Sequence, residues 1–269
     1  MKNNLQNNIF IHNKISKKYE KMHGEIYNDE EQLRLNNDLN NAIKKICTNS
    51  INKISIDFGC GAGNLTNHLS DLGCDVIACD VSQGFLDLIS SRKYNTNVST
   101  FKLNGTDLFN IPDCSVDMIS TYSVLHHLED YLSIITEFMR VLKPGGIIYI
   151  DHENSEEFWI NKNNSYAEYN REMKKNMPYN FDKFLILTNY IDWFIRKFIN
   201  NKYQREGDIH VFEDDHIEWP LIIDKLCSNG AEILYTKKYL LYRRNNNLNI
   251  YNKYKNSLND MQLLVARKL

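Results

Sequence analysis

A glycine-rich loop constrains the fold of this 269-residue chain more than any other feature of its sequence. The stretch ISIDFGCGAGNL, residues 54–65, sets Gly59, Gly61 and Gly63 on alternate positions after a β-branched run. A strand that leads through such a loop into a helix lets the backbone turn sharply and approach a bound ligand closely. The sequence therefore predicts a ligand-binding loop at the end of a first strand.

The pattern around this loop predicts an α/β fold. Short β-branched runs alternate with amphipathic segments of helical length, which is typical of βαβ units and a mostly parallel sheet. Five strands are expected in KISIDF, CDVIACD, VSTFKL, SVDMISTY and IIYIDHE, and two more in AEILYTKKYLLY and MQLLVAR. The last two are joined by the polar loop RRNNNLNIYNKYKNSLND, so they can pair antiparallel. We expect a Rossmann-like, doubly wound, seven-stranded sheet, mostly parallel, with a C-terminal antiparallel hairpin and an inserted helical lid.

Four regions follow from this pattern. They are residues 1–50 as an N-terminal helical cap, 51–153 as the sheet core, 154–212 as an inserted substrate or lid region, and 213–269 as a helix and hairpin that complete the core. The insertion is rich in aromatic residues, which could cover a site or could simply pack together or form a dimer contact. Both alternatives stay open at this stage.

Composition excludes some classes of partner. Lys and Arg number 32 and Asp and Glu number 34, so a net charge of −2 gives no general attraction for nucleic acid or a lipid surface. The six cysteines are scattered, without CxxC pairs or zinc spacing, which favours reduced thiols and a cytoplasmic protein. No segment has the apolar length of a signal peptide or a membrane span. We expect a small-molecule substrate, no nucleic-acid or membrane partner, and a monomer or homodimer.

The glycine loop fits two ligand classes, a dinucleotide and a cationic methyl donor, and three details separate them. The spacing is GxGxG, with Asn64 where a dinucleotide fingerprint has its third glycine. Asp57 stands just before the loop, where a carboxylate would repel a pyrophosphate but can position a cation. Asp80 ends the next strand, where a carboxylate can accept both hydroxyls of a ribose. These details favour the cationic methyl donor.

Four segments in order carry a family resemblance: DFGCGAGNL, IACDVS, NGTDLFNIPDCSVDMISTYSVLHHLED and MRVLKPGGIIYIDHE. With this spacing the chain resembles the class I S-adenosylmethionine-dependent methyltransferases, in particular the small-molecule group of the type 11/25-like kind. The resemblance covers about residues 50 to 153, and the C-terminal helix and hairpin more loosely. It implies S-adenosylmethionine as the cofactor and S-adenosylhomocysteine as its product.

The resemblance also implies which residues contact the cofactor. The implied contacts are Asp57, Gly59, Gly61 and Gly63 around the methionine part, Asp80 at the ribose, Val81 beside the adenine, Asp107 and Leu108 at the adenine amino group, and Thr121 and Tyr122 facing the sulfonium. The N-terminal helix would cap the cofactor through Tyr19, with Tyr27 and Arg34 as further contacts. For each carboxylate, a helix cap or a turn is the alternative role.

Methylation of a hydroxyl needs a group that removes its proton, and histidine is the commonest such group. The candidates are His126 and His127 after the fourth strand, His152 at the end of the fifth, and His216 after the insertion. The paired histidines often serve a packing role in the resembled family, and Asp214 or Asp215 can cap the helix that begins near His216. A divalent metal held by this acidic cluster is the minority alternative, since no short metal-binding motif stands out.

These observations predict an S-adenosylmethionine-dependent methyltransferase that acts on a small polar metabolite. We expect an oxygen acceptor, such as a hydroxyl of a sugar, a phosphorylated compound or a natural-product-type substrate. The alternative is an N-methyltransferase of a small amine, because a free lone pair needs alignment more than a base. An NAD-dependent oxidoreductase is disfavoured by the loop spacing and by Asp57, and an inactive S-adenosylmethionine-binding protein is the remaining alternative.

Overall fold

A computed structural model describes residues 9, 12–13, 16, 19–160, 164–176, 217–243 and 247–269. Its strands are β1 (Ile54–Phe58), β2 (Asp75–Asp80), β3 (Val98–Lys102), β4 (Val116–Tyr122), β5 (Leu142–Asn154), β6 (Ala231–Tyr239) and β7 (Met261–Lys268). They form one seven-stranded sheet in the order β3-β2-β1-β4-β5-β7-β6. Neighbours from β3 to β5 are parallel, whereas β7 is antiparallel to both β5 and β6. The expected fold class is confirmed.

Helices connect these strands, and several of them begin where a side chain caps them. The described helices are α1 (Tyr19–Met22), α2 (Asp29–Ile43), α3 (Asn64–Asp71), α4 (Gln83–Ser90), α5 (Tyr131–Val141), α6 (Glu156–Ile160), α7 (Asn164–Asn176), α8 (Trp219–Ser228) and α9 (Leu248–Tyr254). The side chain of Asn28 caps α2, that of Ser82 caps α4, and that of Asp130 caps α5, each by accepting a backbone N–H of the first turn.

The central strands of the sheet are buried on both faces, as expected for parallel strands with crossover helices. On one face, Ile119 and Ile148 belong to a buried cluster with residues of α5 and α8. Their chain neighbours Met118 and Tyr149 point to the opposite face and join residues of α2 and α3. This alternation follows from the two-residue period of a strand. The carboxyl ends of the central strands are thereby left as the edge where a site can form.

The segment between β6 and β7 differs from expectation. We expected a polar loop throughout, but residues 248–254 form α9, which starts after Asn247 accepts hydrogen bonds from two backbone N–H groups. Tyr254 packs with Tyr169 and Met173 of α7 in a small separate cluster. The asparagine-rich sequence has low helix propensity, so the cap and this tertiary contact decide the outcome.

Strand β5 is longer than the segment IIYIDHE predicted. It begins at Leu142, which pairs with Val116 before an irregularity in the register near Met118. The glycine pair of KPGG is therefore part of the strand, and Gly146 packs close to the Leu142 side chain. Pro and Gly usually interrupt strands, so the sequence pattern does not indicate this extension.

The inserted region is only partly described. Residues 154–160 and 164–176 are included, whereas most of the expected lid, together with Asp214, Asp215 and His216, lies outside the described residues. The division into four regions therefore stays a prediction. In the part of the chain that is described, no helix combines the length and apolar character needed to cross a membrane.

Candidate cofactor and acceptor site

A cavity of about 590 Å³ lies at the carboxyl ends of β1, β2 and β4. The glycine loop, the residues that follow β2 and β4, and N-terminal residues up to Tyr27 line it. This is the edge at which open α/β sheets bind ligands, and the volume is in the usual range for a small-molecule site.

The glycine loop adopts a backbone that only glycine tolerates well. Gly59, Gly61 and Gly63 all have positive φ, of 72°, 48° and 89°. A Cβ atom on Gly59 would lie 2.5 Å from a methyl group of Val124, so this glycine permits close packing against the segment after β4. A Cβ atom on Gly61 would meet no atom within 4 Å, and Gly61 lines the cavity. The loop therefore leaves open space where a ligand can approach its backbone.

Two buried carboxylates, those of Asp57 and Asp80, face this cavity. Asp57 accepts a hydrogen bond from the hydroxyl of Thr66 at 2.6 Å. Asp80 accepts from the backbone N–H groups of Gly61 at 2.9 Å and Ser82 at 2.7 Å. Burial raises the pKa of Asp57 to about 7 and that of Asp80 to about 6, and no described cationic side chain offsets this desolvation. Such a pair is suited to a cationic ligand.

Asn64, at the start of α3, adds a hydrogen-bond donor to the cavity wall. Its side-chain oxygen accepts from Gln32 at 2.9 Å, while its Nδ2 is buried without a hydrogen-bond partner. A buried amide donor without a partner is costly unless a ligand supplies an acceptor. In the sequence Asn64 stands out only as the residue in place of a third glycine, and no motif indicates this donor.

The N-terminal residues close one side of the cavity. Tyr19, the expected cap, lines the cavity, and its ring packs on His23 at 4.0 Å and edge-on against Phe85 at 5.3 Å. Arg92 ties this segment to the glycine loop, because its guanidinium binds Glu20 and the carbonyl of Ala62, each at 2.7 Å.

The two residues expected near the adenine amino group do not line the cavity. Asp107 is half-buried and accepts hydrogen bonds within its own turn, from the backbone N–H of Phe109 and the side chain of Asn104, which lower its pKa. Leu108 is buried, and its N–H donates to Glu137. The neighbouring Gly105 and Thr106 line the cavity instead, and Val81 also lines it, as expected beside an adenine. The adenine role of Asp107 and Leu108 stays a prediction.

Thr121 and Tyr122, at the end of β4, have different surroundings. The ring of Tyr122 lines the cavity, and its hydroxyl donates to Glu31 of α2 at 2.8 Å. Burial raises the pKa of this phenol well above its usual value. Thr121 is fully buried and does not line the cavity.

Glu153 of β5 fixes the segment that follows β4. Its carboxylate accepts from the backbone N–H groups of Val124 and Leu125 and from His126 Nδ1, all within 2.9 Å. Burial acts to raise the pKa of Glu153, but the His126 charge and hydrogen bond, together with the N–H of Leu125, bring it below its ordinary value. His126 is thus held against Glu153, while the adjacent His127 lines the cavity.

His152 lies behind the cavity wall. Its ring stacks on Tyr122 with centroids 4.4 Å apart, and both ring nitrogens are buried without hydrogen-bond partners. Burial lowers the pKa of His152 to about 4, so the ring is neutral at pH 7. Its φ of 60° and that of Ser123, 58°, lie in the left-handed region. Of the four histidines expected as bases, His127 lines the cavity, and His216 lies outside the described residues.

Arg34, expected as a cofactor contact, belongs to a buried charge network instead. Its guanidinium binds Asp151 at 2.9 Å and Asp38 at 2.9 Å, and also Glu31. Burial acts to lower the pKa of Arg34, but the charge of Asp151 keeps it well above its usual value. Among the residues that the structure covers, no group of three or more His, Cys, Asp or Glu side chains could hold a metal ion.

Comparison with known proteins agrees with this geometry. Residues 56–150 match a family model described as a methyltransferase domain. Over 95 residues the chain is 33% identical to malonyl-[acyl-carrier protein] O-methyltransferase of Yersinia pestis, covering 35% of this chain and 34% of that protein. Over 107 residues it is 27% identical to cypemycin N-terminal methyltransferase of a Streptomyces species, covering 38% and 43%.

The fold itself is shared with solved structures. An S-adenosylmethionine-dependent methyltransferase from Mesorhizobium loti superposes with a TM-score of 0.53 at 16% identity, covering 85% of this chain and 96% of that one. The sheet order and the glycine loop are those of a Rossmann-like fold. The chain contains a class I S-adenosylmethionine-dependent methyltransferase domain. The matched region spans less than half the length of either curated relative.

Proposed function

We propose that this protein is an S-adenosylmethionine-dependent methyltransferase that methylates a hydroxyl of a small polar metabolite. The observation that carries the proposal is the pair of desolvated carboxylates, Asp57 and Asp80, in a cavity whose wall also holds histidine side chains. A small-molecule acceptor, a monomeric or homodimeric state and a cytoplasmic location are parts of the same proposal.

The cavity residues fit the cofactor by their chemistry. S-adenosylmethionine supplies an electrophilic methyl group on a cationic sulfonium. Asp80 is available to accept the ribose hydroxyls, since its two oxygens are already oriented by Gly61 and Ser82. Asp57 complements the cationic amino-acid part, and Asn64 Nδ2 supplies a donor for a carboxylate. The left-handed backbone at Gly61 leaves room for close approach.

Oxygen is proposed as the methylated atom because histidines line the cavity. A hydroxyl must lose its proton during methyl transfer, and an imidazole beside the cavity can accept it. His127, expected from the sequence, lines the cavity, and so does His23. Curated relatives include both an O-methyltransferase and an N-terminal methyltransferase, so their names support methyl transfer more than the acceptor atom.

The first experiment measures ligand binding by isothermal titration calorimetry. We expect S-adenosylmethionine and S-adenosylhomocysteine to bind and NAD not to bind. Asp80→Asn should weaken binding of both sulfur ligands by about tenfold or more, since a hydrogen bond to a charged group contributes roughly 1.5–3 kcal/mol. Asp71→Asn, at the exposed end of α3, is the control and should bind like the wild type. Tight NAD binding without S-adenosylmethionine binding would contradict the proposal.

The second experiment follows S-adenosylhomocysteine release with a panel of small acceptors. The panel contains sugars, sugar phosphates and catechol on one side, and small primary amines on the other. Turnover of a hydroxyl compound supports the proposal. Turnover of amines alone favours N-methylation, and cofactor binding without any turnover across the panel favours an inactive binding protein.

A further inference from the structure

His23, between α1 and α2, was not among the histidines expected from the sequence, yet it lines the cavity. The residue is only 7% exposed. Its Nδ1 lies 2.8 Å from Oε1 of Glu25, whereas its Nε2 is buried without a hydrogen-bond partner. A ring with one nitrogen held by a carboxylate and the other unpartnered in a cavity wall has the arrangement of a catalytic base and its orienting group.

The tautomer of His23 follows from the charge of Glu25. Burial acts to raise the pKa of Glu25, but the hydrogen bond from His23 brings it below its ordinary value. Glu25 is therefore ionised at pH 7 and can only accept hydrogen bonds. Nδ1 must then carry a proton, so a ring with a single proton has its lone pair on Nε2.

Two other histidines near the site lack one half of this arrangement. His126 is also paired with a carboxylate, that of Glu153, but it does not line the cavity. His152 has two unpartnered ring nitrogens but lies behind Tyr122. His23 combines the paired carboxylate with a position in the wall, and the aromatic contact with Tyr19 holds its ring.

The geometry points to His23 as the base that takes the acceptor's hydroxyl proton and to Glu25 as its positioning residue, an inference that rests on the proposed O-methyl transfer. The acceptor's O–H bond breaks as its oxygen bonds the methyl carbon, and the proton passes to Nε2. The electron pair of the broken carbon–sulfur bond stays on the sulfur of S-adenosylhomocysteine. The resulting imidazolium is stabilised by the Glu25 carboxylate until the proton leaves to solvent.

The first test reads the tautomer and needs no acceptor. Protein labelled with ¹⁵N-histidine is examined by NMR in complex with S-adenosylhomocysteine, and His23→Gln identifies the His23 signals by their loss. We expect a protonated Nδ1 and a bare Nε2, and we expect Glu25→Gln to change this signature. A protonated Nε2 with a bare Nδ1 overturns the inference, because such a ring cannot accept a proton from the cavity.

The second test measures turnover with the panel of hydroxyl acceptors. We expect His23→Gln to lower kcat by about 10² to 10⁴, the usual contribution of a general base, with S-adenosylmethionine affinity unchanged within about twofold. Glu25→Gln should lower kcat less. The matched control is His68→Gln, because His68 bonds Gln32 and Asn36 between α2 and α3 and does not line the cavity.

The outcomes separate the two proposals. Hydroxyl turnover that survives in His23→Gln at the wild-type rate overturns the role of His23 and leaves O-methylation standing. Wild-type turnover of amines alone overturns O-methylation, and with it the need for this base, even if the NMR signature is as expected.

Discussion

The guanidinium of Arg34 binds the carboxylate of Asp151, 117 residues further along the chain, at 2.9 Å in the protein interior. The same guanidinium lies 3.9 Å from the ring centre of Tyr239, whose hydroxyl donates to Asp151. Through Glu31, this network also reaches the hydroxyl of Tyr122 in the cavity wall. One buried ion pair therefore joins helix α2 to the sheet and to the site.

Replacing Arg34 with Met should destabilise the protein strongly. The substitution leaves Asp151 and Glu31 buried without their cation, and breaking a buried pair in this way costs about 3–5 kcal/mol. Urea unfolding of Arg34→Met measures the loss. The control is Arg267→Met, whose exposed pair with Glu232 should contribute little. Equal losses of unfolding free energy in the two variants would show that the interior ion pair contributes no more to stability than the exposed one.

Cofactor affinity should rise with pH in the range where Asp57 and Asp80 lose their protons. Burial raises their pKa values to about 7 and about 6, so both carboxyls are partly protonated in the ligand-free protein below pH 7. A cationic ligand favours the ionised form, so binding should tighten as pH rises from about 5 to about 8. Calorimetry in buffers of different ionisation enthalpy should also detect proton release. Affinity that falls with rising pH would contradict the assignment.

The stability of the ligand-free protein should respond to pH in the opposite direction. A carboxyl with a raised pKa holds its proton more tightly in the folded state than in the unfolded state, where the value is near 3.8. The contribution to the free energy of unfolding is therefore present below about pH 4 and lost as pH rises through about 6 to 7. Asp57→Asn should flatten this dependence in thermal unfolding, and Asp71→Asn should leave it unchanged.

Alanine at two positions of the glycine loop should have different effects. At Gly61, the substitution meets open space, so its cost to stability is the left-handed backbone alone, about 1–2 kcal/mol. At Gly59, the new Cβ also collides with Val124, so the loss of stability should be larger. Gly61→Ala should nevertheless weaken S-adenosylmethionine binding, because its methyl group enters the cavity. Thermal unfolding and calorimetry test both statements, and equal stability of the two variants would refute the collision.

Removing the carboxylate of Glu153 should disrupt the segment after β4. Glu153→Ala leaves the N–H groups of Val124 and Leu125 and the ring of His126 without their acceptor. Each unsatisfied buried group costs about 1–3 kcal/mol, so unfolding should become easier by several kcal/mol. Glu153→Gln keeps an acceptor oxygen and should lose less. Glu157→Ala, which removes an exposed pair with Lys238, is the control in urea unfolding and should change little.

Much of the sheet could be predicted from the sequence because apolar residues recur at clear strand and helix spacings in this chain. The antiparallel β6–β7 pair was predicted correctly, since two β-branched runs and a linking segment suffice to suggest it. The helix α9 was not predicted, because its stability comes from Asn247 and from contacts with α7 that are distant in sequence.

The site was predictable where residues adjoin the strands and less so elsewhere. Asp57, Asp80, Gly59 and Gly61 line one cavity because strand ends fix their positions, whereas Gly63 does not line it. His23 and Glu25 precede the first strand, and no sequence period relates them to the cavity. Arg34 was expected at the cofactor, but its carboxylate partners lie on α2 and β5, and only the tertiary fold shows that Asp151 binds it.

The left-handed conformations of Ser123 and His152 cost the protein thermal stability at the edge of the cavity. Ser123 N–H donates to the carbonyl of Asp151 at 3.0 Å, so the two unusual backbones adjoin at the cavity edge of neighbouring strands. Glycine would adopt both conformations at a lower cost, by about 1 kcal/mol at each position. A chain under selection for thermal endurance alone would carry glycine at both. Ser123 lines the cavity, so its hydroxyl stands at the site at the expense of a lower melting temperature, whereas His152 lies behind the wall and takes no part in the proposed chemistry.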